Sequence, residues 1–368
     1  MEPTHPSHRA CCRGTQDAAA GRSPHWITGQ IETPAGPIPQ VATSMTAADK
    51  LGSLKARLAI SRMNYSIEPG LYAVGTPTPE STVLVTANYK MSFDRLRREL
   101  PGRGAWIMVL DTKGINVWCA AGKGTFGTAE IVERVKATRL HEVVSHRTLV
   151  LPQLGAPGVA AHAVKSRSGF RVVYGPVRAA DLPVFLDAGM KATPEMRRVK
   201  FTLADRLALV PIEMVMWPRP LLLVLATLFF LGGLGRDGYS FDAAIAVGGR
   251  AVLLCLLAFV GGTVLVPALL PWLPGRAFSM KGAAVGLLLA VVCAALSWRN
   301  PATMPRLFDL AAWVLILPAA VAFFAMNFTG ASTYTSLSGV KAEMRVAVPA
   351  QIMAGVLGVG LWVIGHYA

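Results

Sequence analysis

The sequence predicts a Rossmann-like α/β domain followed by an all-α transmembrane domain of five helices, with a disordered tail ahead of both. Three observations carry this reading. The chain of 368 residues is 53% hydrophobic and only 15% charged, with a mean hydropathy of +0.45, whereas soluble chains carry about 25% charged residues. Short β-branched runs alternate with amphipathic stretches between residues 64 and 200. Apolar blocks separated by short polar loops fill the chain from residue 219 onward. Charge divides along the same lines. Residues 1–50 hold 4 basic and 4 acidic side chains, 51–210 hold 23 and 12, and 211–368 hold 9 and 5, within a net charge of +15. Five cysteines exclude a disulfide scaffold.

Residues 1–50 are rich in Pro, Ala, Thr, Ser and Gly without a sustained apolar period. Such a segment buries too little surface to offset its ordering entropy, so a disordered tail is expected. No apolar run of about 7–15 residues follows its first basic residues, which argues against a signal peptide. Cys11 and Cys12 are adjacent and lack the spacing of a zinc site.

The α/β domain is expected over 64–210. Candidate strands are 82–87, 105–111, 115–118, 148–151 and 171–174; candidate helices are 93–100, 128–139, 159–167 and 180–188. Strands alternating with helices of this length predict a mostly parallel sheet covered on both faces. Ligands in such sheets bind outside the carboxyl ends of the strands.

The transmembrane domain is expected over 211–368, with spans at about 220–234, 251–273, 282–298, 307–328 and 346–367. Several approach the ~20 apolar residues that a bilayer requires, and Trp217, Trp272, Trp298 and Trp362 stand near block ends, where interfacial aromatics concentrate. Loop charges balance at four on each side. Arg197, Arg198, Lys200, Arg206 and Arg219 ahead of the first span decide the orientation. By the positive-inside rule the α/β domain is cytoplasmic and, with five spans, the C-terminus lies outside an inner membrane crossed several times.

One stretch carries the chemistry: Asn116-Val117-Trp118-Cys119-Ala120-Ala121-Gly122-Lys123, then Gly124-Thr125-Phe126-Gly127. Gly122, Gly124 and Gly127 match G-x-G-x-x-G, and Glu142 stands where a ribose-binding acid would. The motif sits in mid-domain, however, not at the first strand–helix turn, and a P-loop fails on spacing. Cys119 falls where a strand is expected to turn into a helix, a place where the helix dipole favours the thiolate. Its small neighbours would let a flat ligand approach. From these residues alone, a functional thiol and a buried structural cysteine are equally open.

Position for position, residues 116–123 resemble the cap-helix signature of the membrane-anchored corrinoid protein of microbial mercury methylation. The resemblance continues through Val83-Leu84-Val85-Thr86-Ala87-Asn88-Tyr89-Lys90 and Gln153-Leu154-Gly155-Ala156-Pro157-Gly158. The second of these, with Val173-Tyr174-Gly175-Pro176-Val177, is also similar to the corrinoid-binding part of the corrinoid iron–sulfur protein of the acetyl-CoA pathway. The resemblance implies a methyltransferase that takes a methyl group from a one-carbon donor, carries it on a cobalamin or related corrinoid, and passes it to Hg(II). Cys119 then matches the thiolate ligand of the cobalt. Asn116, Val117, Trp118, Ala120, Ala121, Gly122 and Lys123 match the rest of the helix that lies against the corrin. Thr86, Asn88, Leu154, Gly155, Ala156 and Gly158 are expected to cradle the corrin or its nucleotide tail.

The chain has no D-x-H-x-x-G motif around His141, His146 or His162, in keeping with ligation by a thiolate. Besides Cys119 it holds only Cys11, Cys12, Cys255 and Cys293, so it lacks a four-cysteine iron–sulfur set. The resemblance implies an electron donor on another chain, a ferredoxin-like protein with two four-iron clusters. The basic α/β region suits an acidic redox partner or anionic lipid of the bilayer; no nucleic-acid partner is expected. Two other functions compete: membrane-tethered methyl transfer to a different acceptor, and a ligand-binding membrane anchor or transporter.

Overall fold

The computed structural model describes residues 24–236, 238–298, 307–331 and 337–367. The chain divides into two compact units. The first reaches up to Ala56 and continues over Ile60–Val199; the second comprises Arg57–Ala59 and Lys200–Ala368.

The first unit is built on a seven-stranded mixed sheet. Its strands are β1 (Ile27–Thr33), β2 (Gly36–Val41), β3 (Gly70–Val74), β4 (Val83–Ala87), β5 (Ala105–Leu110), β6 (Thr148–Leu151) and β7 (Arg171–Tyr174), in the order β1-β2-β3-β5-β4-β6-β7. Neighbours from β5 through β4 and β6 to β7 are parallel, while β1/β2 and β3/β5 are antiparallel. The helices are α1 (Ala47–Arg57), α2 (Lys90–Arg97), α3 (Val117–Lys123), α4 (Thr128–Ala137), α5 (Leu140–Val143), α6 (Ala161–Ser168), α7 (Leu182–Asp187) and α8 (Pro194–Arg197).

β4 and β5 are buried along their whole length, which is why β5 reads as an unbroken apolar run and β4 as one interrupted only by Thr86. Strand alternation sends Val83, Val85 and Ala87 into one core with Ala120, Ala121, Phe126 and Ile131. Leu84 enters the opposite core with Trp26, Tyr72, Phe93 and Leu100.

Two expectations are corrected. Residues 27–41, assigned to the disordered tail, form the β1–β2 hairpin, and α1 follows at Ala47; residues 1–23, with Cys11 and Cys12, lie outside the described residues. β1 alternates only between half-buried and exposed positions, so it carries no apolar run to mark it as a strand. Residues 115–118, expected as a strand, instead enter α3, with Asn116 as its N-cap. The sheet is mostly parallel as expected, with β2/β3, β4/β5, β4/β6 and β6/β7 parallel, and only β1/β2 and β3/β5 make it mixed.

α1 is held by a buried charge network. Lys90 Nζ lies 2.8 Å from Asp49 Oδ1 and 2.7 Å from Asp94 Oδ1. Arg97 Nη2 lies 2.9 Å from Asp49 Oδ2, and Arg97 Nε donates to Asp94 at 2.8 Å. Two carboxylates thus face two cations, the balance that buried charge requires. Burial opposes ionisation of Asp49, yet the hydrogen bond and charge of Lys90, the Thr46 amide and Arg97 together hold its carboxyl well below the usual range.

In the second unit, Phe241–Leu269, Phe278–Trp298, Leu307–Asn327 and Ser338–Gly365 are long and apolar enough to cross a membrane. The first expected span is different. Helix Pro218–Leu231 has 14 residues, too few to cross alone, and it bends by 62° from Leu203–Met216. Five spans are reached only if this bent pair counts as one. Gly282 and Gly286 let two helices close up, since a Cβ at either would come within 2.5 Å of the Ala322 or Pro318 backbone. Arg206, one of the basic residues ahead of the first expected span, is buried, and its guanidinium donates to the Pro267 and Ala268 carbonyls at 3.1 and 2.8 Å.

Candidate functional site

The site is organised from the carboxyl ends of β4, β5 and β6. β5 ends at Leu110, and residues 111–116 lead into α3. This loop is tied to the end of β4 by Asn88. The Asn88 Oδ1 accepts from the Thr112 amide at 3.1 Å, from Thr112 Oγ1 at 2.8 Å and from the Gly114 amide at 3.0 Å. Asp111 adds a second brace: its amide donates to Glu130 Oε1 of α4 at 2.8 Å. Burial opposes ionisation of the Asp111 carboxyl, but the hydrogen bonds and charge of Lys113 hold it below its ordinary value.

Asn116 starts α3. Its Oδ1 accepts from the Cys119 amide at 2.9 Å, satisfying a donor that the first helical turn leaves without a partner. Gly124 ends the helix in the left-handed conformation, at φ +81°. Between these caps α3 is two-faced. Val117, Ala120 and Ala121 are buried in the core, Trp118 and Cys119 are half-buried, and Gly122 and Lys123 are exposed. Positions 119, 122 and 123 share one face by helical spacing, so the thiol has a residue without a side chain one turn along. A Cβ at Gly122 would meet nothing within 4 Å. The fold therefore does not need glycine there, although glycine costs a helix about 1 kcal/mol relative to alanine.

Gln153–Gly158, the segment after β6, supports this helix from beneath. A Cβ at Gly158 would lie 2.2 Å from the Phe126 carbonyl oxygen and 3.0 Å from Ala121 Cα. One at Gly155 would lie 2.5 Å from the Phe126 ring. These two glycines are thus filled in by the chain itself, and their place is under α3. Leu154 packs against the core that α3 shares, while Ala156 is half-buried.

The structure therefore brings residues 116–123 together with Leu154, Gly155, Ala156 and Gly158, and joins Asn88 to them through the 111–116 loop. Thr86 is separated. It is buried in β4, and alternation puts it on the sheet face of Leu84, opposite the one that packs α3. Lys90 is committed to the Asp49–Asp94 network. Two features were missed from the sequence. The T-x-x-D pattern of Thr46 and Asp49 forms the reciprocal bonds of a capping box that marks the start of α1. The Asn116-to-Cys119 spacing is likewise that of a helix cap.

The donor set on the open face of α3 is one thiol beside free space. Among the described residues, no three His, Cys, Asp or Glu side chains are grouped to hold a metal ion. Such a site fits a metal that arrives inside its own flat macrocycle.

Residues 53–186 match the family model of the CO dehydrogenase/acetyl-CoA synthase delta subunit. The chain is 30% identical over 128 residues to the acetyl-CoA decarbonylase/synthase complex subunit gamma of Archaeoglobus fulgidus, covering 34% of this chain and 27% of that one. It is 32% identical over 123 residues to the subunit gamma of Methanopyrus kandleri, covering 33% and 26%. The α/β unit is similar to acetyl-CoA complex subunits. The chain spans about a quarter of the length of these relatives. The matched region contains β3 through β7 and all of the site, and leaves out the β1–β2 hairpin and every apolar helix.

Proposed function

We propose that this protein is a membrane-anchored, corrinoid-dependent methyltransferase whose acceptor is Hg(II). The observation that carries the reading is the pairing of Cys119 and Gly122 on the open face of a capped helix, at the carboxyl end of β5. When bound, a corrinoid supplies a cobalt that accepts a methyl group from a one-carbon donor and yields it to an acceptor.

The chain's own residues do the positioning. Cys119 offers the thiolate ligand, and Asn116 orients it by fixing the first turn of α3. Gly122 leaves the space that a flat ring needs, and Trp118 and Lys123 border it. Leu154, Gly155, Ala156 and Gly158 hold α3 from below, and Asn88 holds the loop that precedes it, while Thr86, on the other face of β4, takes no part. In this reading the α/β unit is Rossmann-like and cytoplasmic, the bent pair Leu203–Met216 and Pro218–Leu231 is a fifth span, and the C-terminus lies outside. Electrons come from a ferredoxin-like partner with two four-iron clusters.

A second reading, methyl transfer to a different acceptor from the same membrane tether, is favoured by the similarity to acetyl-CoA complex subunits. An anaerobic assay of methylmercury formation from Hg(II), with the full-length protein, a corrinoid, a methyl donor and a low-potential reductant, separates the two. Methylmercury formed by the parent and absent with Cys119→Ala supports the first. Loading with corrinoid but no methylmercury favours the second.

A further inference from the structure

We propose that Lys50–Ala56 of α1 and Ile60–Met63, both within the first unit, form a second membrane contact for an anionic lipid surface. Leu51 and Leu54 stand three residues apart on α1, each 51% exposed, and Ile60 and Met63 follow at 53% and 68%. Elsewhere in this unit large apolar side chains are overwhelmingly in the two cores, so a cluster of four within thirteen positions is an exception that points to a partner. The four lie on two arms of one turn. Ala59 and Ser61 take left-handed backbone at φ 60° and 50°, and the returning chain brings the Tyr65 ring to within 2.9 Å of where a Cβ on Gly52 would be.

Basic side chains are interleaved with the apolar ones. Lys50, Lys55, Arg57 and Arg62 occur in the same stretch, which from Lys50 to Tyr65 contains no acidic residue. Asp49, just ahead of it, is turned inward and neutralised by Lys90 and Arg97. Apolar side chains flanked by unopposed cations are the composition of an interfacial segment: the apolar groups enter the headgroup boundary while Lys and Arg reach anionic phosphates. The occupant follows from that charge and from the chain's own apolar helices, which bring a bilayer to it. An acidic protein would answer the charge but not the four apolar groups spread along both arms.

The test is limited trypsin digestion of the full-length protein in nanodiscs of phosphatidylcholine alone, or with about one-third phosphatidylglycerol. Cleavage after Lys50, Lys55 and Arg62 is compared with cleavage after Lys113 and Lys123, which are exposed in the same unit. Anionic lipid is expected to slow the first group at least about fivefold, an effect erased by high salt, and to leave the second group within about twofold. The triple variant Leu51→Ser, Leu54→Ser and Met63→Ser should lose the protection; unchanged cleavage at Lys113 and Lys123 shows that it folds. Equal rates in both discs overturn the proposal, as does slowing of both groups alike. Protection in neutral discs that depends on two copies per disc assigns the face to a second copy and overturns it too.

Discussion

Asn116 and Cys119 are joined by a single hydrogen bond, from the cysteine amide to the asparagine side-chain oxygen at 2.9 Å. The residue that starts the helix is thus also the one that sets the attitude of the thiol. Asn116→Ala should cost about 1 kcal/mol and speed hydrogen exchange in the first turn of α3, whereas Asn116→Asp, which keeps the cap, should not. Exchange measured across peptides containing 116–124 checks both.

Gly122 and Gly158 make opposite demands. At Gly122 the space is open, so Gly122→Ala should leave the urea midpoint of the full-length protein unchanged or raise stability by up to about 1 kcal/mol. Gly122→Leu should fold equally well and yet lose corrinoid, because its side chain fills the face beside Cys119. Retention of corrinoid by the leucine variant would mean that this face is not the one used.

At Gly158 the space is already taken by backbone. Gly158→Ala should destabilise by roughly 1–3 kcal/mol, the usual cost of forcing an extra carbon into a packed position. Because the obstruction is the Phe126 carbonyl and Ala121 Cα, the strain falls on α3. Corrinoid binding should therefore decline together with the urea midpoint, in contrast to Gly122→Leu.

Much of this was legible in the sequence, for physical reasons that differ by element. β4 and β5 are buried on both faces, so their largely apolar runs were readable as strands, whereas the Asn116 and Gly124 caps that delimit α3 were not read as such. The β1–β2 hairpin was hidden because its buried anchors are few and its strands carry Pro, Gly and Thr. Residues 115–118 misled because Ile115 and Val117 have strand preferences, which the Asn116 cap overrides. Asp49, Lys90, Asp94 and Arg97 look like surface charges in one dimension; only their meeting in space allows burial. Whether Gly155 and Gly158 face a ligand or a neighbouring helix depends on contacts with Phe126 and Ala121, some thirty residues away.

The charge network makes a pH prediction. The folded Asp49 carboxyl titrates below its ordinary value of 3.8, so the network's contribution is complete above the unfolded value of about 4 and is lost as pH falls through the folded one. Between pH 7 and 5 this group should leave stability unchanged, with loss beginning below about pH 4. Asp49→Asn leaves Lys90 and Arg97 short of one charge and should cost about 3 kcal/mol at pH 7, while weakening the acid dependence. Urea midpoints from pH 7 to 3 decide this.

Cys119 is the residue proposed to meet the cofactor, and the most direct measurement is the absorption spectrum of corrinoid bound to the purified full-length protein beside that of Cys119→Ala. The parent should bind hydroxocobalamin anaerobically with a spectrum shifted by thiolate ligation, the corrinoid's own base displaced. The variant should keep the parent's circular dichroism and lose that shift. An identical corrinoid spectrum in the two proteins, with equal rates of methylmercury formation, would contradict that role for Cys119.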